Sequence, residues 1–146
     1  MIIHLIHRSR RLGIPAIGHG DRLAAGLAQR LDDGFHYFRG VAPGGPSIDA
    51  VVVGPGGTWT LTAAEERGRF RRRNGHWYRW NRSTESWVPW DAIPVNTARI
   101  AGHRLELYLE RAALPATVEA CLVPAKGVEV GWDAGEQVGI HVEGEI

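Results

Sequence analysis

The dipeptide Asn74-Gly75 constrains the fold of this chain more than any other pair of residues. It stands between two runs of strand-forming residues, "RGRFRRR" (67–73) and "HWYRWN" (76–81). A two-residue hairpin turn that matches the right-handed twist of its strands needs positive φ at both central positions, and Asn-Gly tolerates that best. The spacing predicts a hairpin over 67–81 that pairs Arg73 with His76, Arg72 with Trp77 and Arg71 with Tyr78. Side chains alternate along a strand, so Arg69, Arg71, Arg73, His76, Tyr78 and Trp80 share one face. Phe70, Arg72, Trp77 and Arg79 share the other.

A lone hairpin is marginal in water, and the rest of the chain offers the partners. "DRLAAGLAQRLDD" (21–33) spaces Leu23, Leu27 and Leu31 by four, one stripe of a helix. Asp21 suits its N-cap and Gly34 its stop. "FHYFRGV" (35–41) reads as a strand. "IDAVVVG" (48–54) carries β-branched residues on both faces, the mark of a central strand, and "TWTLTAA" (58–64) follows after a Pro-Gly-Gly turn. "STESWVPWDAIP" (83–94) reads as a loop, and "VNTARIAGHRLELYLERAAL" (95–114) as an amphipathic helix ended by Pro115. "ATVEACLVP" and "GVEVGW" read as two short strands, with room for a third in "EQVGIHVEGEI" (136–146). Residues 1–20 give no clear pattern, and "RLGIPAIGHG" has the Gly and Pro of an irregular lead-in. The order is that of an α/β or α+β single domain over 1–146, built on a mixed sheet flanked by helices with a hairpin extension. At 146 residues the chain is long enough for one substantial core.

Net charge is +1, so the whole molecule favours no charged partner, but the distribution is uneven. Seven arginines and no carboxylate fall between Arg67 and Arg82, and five acids with no Lys or Arg follow Lys126. Cys121 is the only cysteine, which excludes a disulfide framework and a Cys-based metal site and suggests a reducing cytoplasm. "MIIHLIH" is broken by His4 and His7 and is followed, not preceded, by "RSRR", so it reads as neither a signal peptide nor a membrane span. The histidines are scattered and form no ligand set. "GPGG" and "APGGP" are turns with no helix behind them, not phosphate cradles.

Five segments in this order resemble the NERD family, the nuclease-related domain of the restriction-endonuclease-like group: "GHGDRLAAGLAQRL", "SIDAVVVGPGGTWTL", "GRFRRRNGHWYRW", "IPVNTARIAGHRLELYLE" and "TVEACLVP". The similarity spans roughly residues 18–125. It implies a restriction-endonuclease-like mixed sheet and a metal-dependent nuclease site made of an Asp followed by Glu-x-Lys. Asp49 stands at the family's Asp and Asp21 at the Glu of its opening helix. Thr62 and Ala64 stand where the Glu and Lys belong, and Thr97 falls near the family's Gln.

Phosphodiester hydrolysis of this kind needs hard oxygen ligands around Mg²⁺ and a cationic group beside the attacked phosphoryl. Thr62 is a neutral, weak ligand and Ala64 has nothing to offer. Glu65 lies about 10 Å further along an extended strand on the opposite face, and Glu66 about 13 Å along. The reading is a catalytically degenerate domain in which Asp21 and Asp49 are remnant acids. It needs no cofactor, Mg²⁺ entering only if the site is active, and the residual metal reading is a weak Mg²⁺ site between Asp21 and Asp49. The arginine-aromatic hairpin, through Arg69, Arg71, Arg73, His76, Tyr78 and Trp80, is the candidate contact to DNA or RNA, because guanidinium groups bind phosphate and aromatic rings stack on bases. Two alternatives stand beside this pseudo-nuclease: a protein-interaction or regulatory scaffold, and a metal-dependent nuclease with a relocated acid. No membrane partner is implied. Tryptophan faces on a hairpin also pack on a core, and Arg over Trp is a common internal stack.

Overall fold

The computed structural model describes residues 1–5 and 19–132. The irregular lead-in expected before the first helix and the strand expected in 136–146 fall largely or wholly outside them. The described residues build two sheets and two helices. The first sheet has the order β1-β2-β3-β4-β8, from strands Ile2–Leu5, His36–Arg39, Ala50–Gly54, Gly57–Ala63 and Val118–Val123. Strands β2, β3 and β4 form an antiparallel meander, while β1 lies parallel to β2 and β8 parallel to β4. The class is mixed α+β, as the order of predicted elements implies. β3 is central, flanked by β2 and β4, which accounts for its apolar residues on both faces.

Alternation along these strands assigns one helix to each face. Ala50, Val52, Leu61, Cys121, Val123 and the fully buried Tyr37 form one cluster with Ala24 and Leu27 of α1, His19–Ala28. Val51 and Ile48 pack instead with Ala101 and Leu105 of α2, Ile93–Arg111, and Leu122 packs with Val95 and Ala98 of the same helix. Gly102 of α2 lies close against the sheet: a Cβ there would meet the Ala120 Cβ at 2.9 Å and the Thr60 hydroxyl at 3.4 Å.

The second sheet has the order β7-β6-β5-β9, from Ser86–Pro89, His76–Asn81, Arg69–Arg73 and Glu129–Trp132. Its β5–β6 hairpin has the expected register, Arg73 opposite His76 and Arg71 opposite Tyr78. Asn74 has φ 49° and Gly75 φ 77°, the double positive φ that the two-residue turn demands. The sheet docks on the first through Phe70, Trp77 and Trp90. The Phe70 and Trp90 ring centres are 4.5 Å apart, and Trp77 meets Trp90 edge-on at 5.9 Å.

Four expectations need correction. The segment 83–94 is not all loop: β7 runs through Trp87, after a turn in which the Asn81 side chain accepts hydrogen bonds from the Ser83 and Thr84 N–H groups. The N-terminal residues contribute β1, an edge strand whose parallel partner lies more than thirty residues away and leaves no local signal. Helix α1 begins at His19, so Asp21 lies within its first turn instead of preceding it. It ends at Ala28, short of Gly34, because the Asp32 carboxylate takes the Gly34 N–H at 2.8 Å and turns the chain into β2.

Helix α2 likewise ends before Pro115. The Leu114 N–H reaches the Leu109 carbonyl at 2.9 Å and the Ala113 N–H the Glu110 carbonyl at 3.1 Å, with Ala113 at φ 57°. This is a Schellman motif with alanine at the position that favours glycine. Ala113→Gly is expected to raise stability by about 0.5–1 kcal/mol, read as a higher urea midpoint at unchanged slope. Among the described residues, no helix is long and apolar enough to cross a membrane.

Burial pushes the Cys121 thiol up from its ordinary 9.0 to about 11, with the nearby Glu119 charge adding to the effect. The thiolate is therefore disfavoured in the folded state. The native chain is expected to resist a thiol reagent at pH 8 and to react on unfolding in denaturant. The folded pKa is raised, so this contribution to stability is full below pH 9.0 and is lost as pH climbs toward 11.

Candidate nucleic-acid interface and the degenerate cleft

The cleft suggested by the sequence lies where β3 starts and β4 ends. Asp49 is exposed, one residue before β3, and its Oδ2 accepts the Ala63 N–H at 2.8 Å. Ala50 pairs with Leu61, so one step further along the register sets Asp49 opposite Thr62, on the α2 side of the sheet. The carboxylate thus ties the mouth of the β3–β4 ladder through a backbone amide.

Thr62 is only 8% exposed, and with Thr58 and Thr60 it forms a buried threonine row on β4. Among the described residues, the Thr60 hydroxyl has no hydrogen-bond partner. Ala64 packs against the cluster of Ala92, Val95, Ala98 and Leu122 together with Trp77 and Trp90. A cavity of about 30 Å³, about enough for one water, opens there, and Glu66 lines it beside Ala64, Phe70, Trp77, Trp90 and Leu122. A lysine at position 64 would stand beside a largely apolar wall on which Glu66 is the carboxylate.

The described side chains do not fit Mg²⁺. One carboxylate already engaged by an amide and one nearly buried hydroxyl are too few hard oxygens. Among the described residues, no group of three or more His, Cys, Asp or Glu side chains could hold a metal ion. The structure places Asp21 in the first turn of α1, and its side chain lies outside the description. Thr97 is exposed on α2. Lys126 sits in the turn between β8 and β9, next to Gly127 at φ 83°.

The second sheet brings more together. Its outward face carries Arg69, Arg71, Arg73, His76, Tyr78 and Trp80 in the expected alternation. Strand β7 adds Trp87 beside Trp80, with ring centres 5.3 Å apart. The Arg69 guanidinium lies 5.5 Å from the Trp80 ring centre and 5.7 Å from that of Trp87, and its Nε is 2.8 Å from Glu129 on β9. The Arg71 guanidinium lies 4.5 Å over Trp87. These two arginines therefore stiffen the aromatic face, and any anion must draw them from existing contacts. Arg73 and His76 are exposed at the turn.

At the opposite end of the hairpin, a groove of about 620 Å³ opens along Arg67, Arg69, Arg79, Trp80, Asn81 and Arg82. Among the described residues, four guanidinium groups line it and no carboxylate does. Arg79 is aimed by two contacts: its Nη2 donates to the Arg67 carbonyl at 3.0 Å, and its guanidinium lies 5.6 Å from the Phe70 ring centre. Arg67 and Arg82 are exposed. The face pattern read from the sequence does not include Arg67, Arg79 and Arg82. Period-two alternation separates the faces of a strand, whereas this groove wraps the sheet end and takes side chains from both. Trp87 was missed with β7, although the Asn81–Glu85 turn chemistry was there to find it. No family model, no curated protein and no solved structure matches this chain.

Proposed function

We propose that this protein is a nucleic-acid-associated binding module built on a catalytically degenerate, nuclease-related core, and that it does not cleave its ligand. The observation that carries the reading is the groove at the end of the hairpin, whose walls, among the described residues, hold four arginines, a tryptophan and no carboxylate. Such a groove holds a polyanion by charge and leaves an aromatic ring beside the backbone path. Arg67 and Arg82 grip phosphate, Arg79 is held in place by Phe70, and Trp80 offers its exposed part to a base.

The non-cleaving half of the proposal is supported by the cleft. Thr62 and Ala64 stand where the resemblance implies an acid and a lysine, and Trp77 and Trp90 pack beside Ala64 on the same apolar cluster. The element order, with a helix, a three-strand meander, the second sheet, a helix and a parallel strand, is compatible with the fold that the resemblance implies. The test is fluorescence anisotropy with short single-stranded and duplex oligonucleotides at low salt. Salt-sensitive binding without cleavage in Mg²⁺ or Mn²⁺ supports the reading. Absence of binding at low salt refutes the interface, and cleavage that disappears in Asp49→Ala refutes the degenerate cleft.

A further inference from the structure

Helix α2 buries one face and leaves an apolar seam on the other. Val95, Ala98, Ala101, Gly102 and Leu105 face the core. Ile93, Ile100 and Leu107 recur every seven residues along the helix, and Leu114 lies past the turn that ends it. Ile93 is 60% exposed, Ile100 58% and Leu114 65%, while Leu107 is half-buried. At 100° per residue these positions lie far from the buried stripe, so the sheet cannot cover them. Three large aliphatic side chains in a row on one helix are more than scattered surface hydrophobics.

The seam is self-complementary. Turned over on itself about a two-fold axis midway between Ile100 and Leu107, it sets Ile100 of each copy against Leu107 of the other. Arg99 and Glu106 flank it on one side, both exposed and seven residues apart. The same two-fold puts Arg99 of each copy beside Glu106 of the other, which gives two ion pairs across the axis. Arg104, on the opposite flank, would meet its own copy near the axis. Its guanidinium is turned away, donating to the Pro46 carbonyl at 2.9 Å and the Pro43 carbonyl at 3.3 Å.

We propose that the chain forms an antiparallel homodimer through the outer face of α2. A pairing along 19 residues covers about 28 Å of helix and buries less than a standard interface of about 1,600 Å², so the dimer is weak, with a dissociation constant on the order of 100 μM. Sedimentation equilibrium between about 10 μM and 1 mM tests it. The expected result is a concentration-dependent dimer that Ile100→Asp weakens at least about tenfold. Arg99→Glu weakens it several-fold, and adding Glu106→Arg to that variant restores it.

Geometry is tested by crosslinking. His103 sits beside the two-fold axis, so His103→Cys is expected to give a covalent dimer under mild oxidation. Asn96→Cys is expected not to, because the two copies of position 96 lie about 22 Å apart in the antiparallel pair. A chain that stays monomeric at 1 mM overturns the proposal, as does a dimer indifferent to Ile100→Asp. Crosslinking through position 96 but not 103 overturns the antiparallel arrangement. None of these variants touches the arginine groove, so the dimer and the nucleic-acid reading fail or stand separately.

Discussion

A chain carrying Arg67→Ser, Arg69→Ser and Arg82→Ser is expected to bind a short single-stranded oligonucleotide at least about tenfold more weakly than the parent at 50 mM salt. Each phosphate neutralised on a single strand contributes about 0.7 to the slope of log affinity against log salt, so losing the Arg67 and Arg82 contacts should flatten that slope by about 1.4, and by about 2 if phosphate also draws Arg69 from Trp80, Trp87 and Glu129. The slope is the sharper readout. A variant that misfolds loses affinity at every salt concentration, whereas one that loses phosphate contacts loses most where counterion release matters most. All three side chains are exposed, and the one ion pair removed, Arg69 with Glu129, lies on the surface where such pairs contribute little. Equal affinities and equal slopes for parent and variant would remove the groove from the mechanism. Arg71 is the useful contrast. Its guanidinium lies 4.5 Å over Trp87, so Arg71→Ser should disturb the aromatic face more than the salt dependence.

Tyr37→Ala is expected to cost about 3–5 kcal/mol, the largest loss of any single change in the first sheet. Tyr37 has no exposed surface and sits on β2, between β1 and β3, within the cluster that holds α1 to the sheet. Truncation to Ala removes the aromatic ring from a close-packed interior that cannot refill the space. A domain of this size has roughly 5–15 kcal/mol of stability in all, so the variant should melt about 10–20 °C lower. Differential scanning calorimetry measures the shift. A drop of only a degree or two would mean that α1 and the edge of the first sheet contribute little to the cooperative unit.

The two sheets differed in how far local chemistry revealed them. The β5–β6 hairpin was legible to the residue, because Asn74-Gly75 sets the turn and the turn sets the register. The meander was legible because β3 and β4 combine β-branched runs with a Gly-rich turn between them. Strand β1 was not, since its pairing with β2 is parallel and is decided across α1. Strand β7 was obscured by its own Pro89 and by Trp87 and Trp90, which read as loop until cross-strand pairing of Trp87 with Trp80 gives the segment a place.

The same division runs through the candidate site. Which residue types stand at 49, 62 and 64 is a matter of sequence alone, and so is the density of arginine between 67 and 82. Residue types and two- or seven-residue periods settle what each segment can form and which face it presents, because steric and hydrogen-bonding preferences act between near neighbours. Only tertiary packing brings Trp77 and Trp90 beside Ala64 and collects Arg67, Arg79 and Arg82 around one groove. Those outcomes depend on how sheets and helices dock. Docking is set by the summed fit of side chains far apart in the chain, and no local pattern encodes that sum.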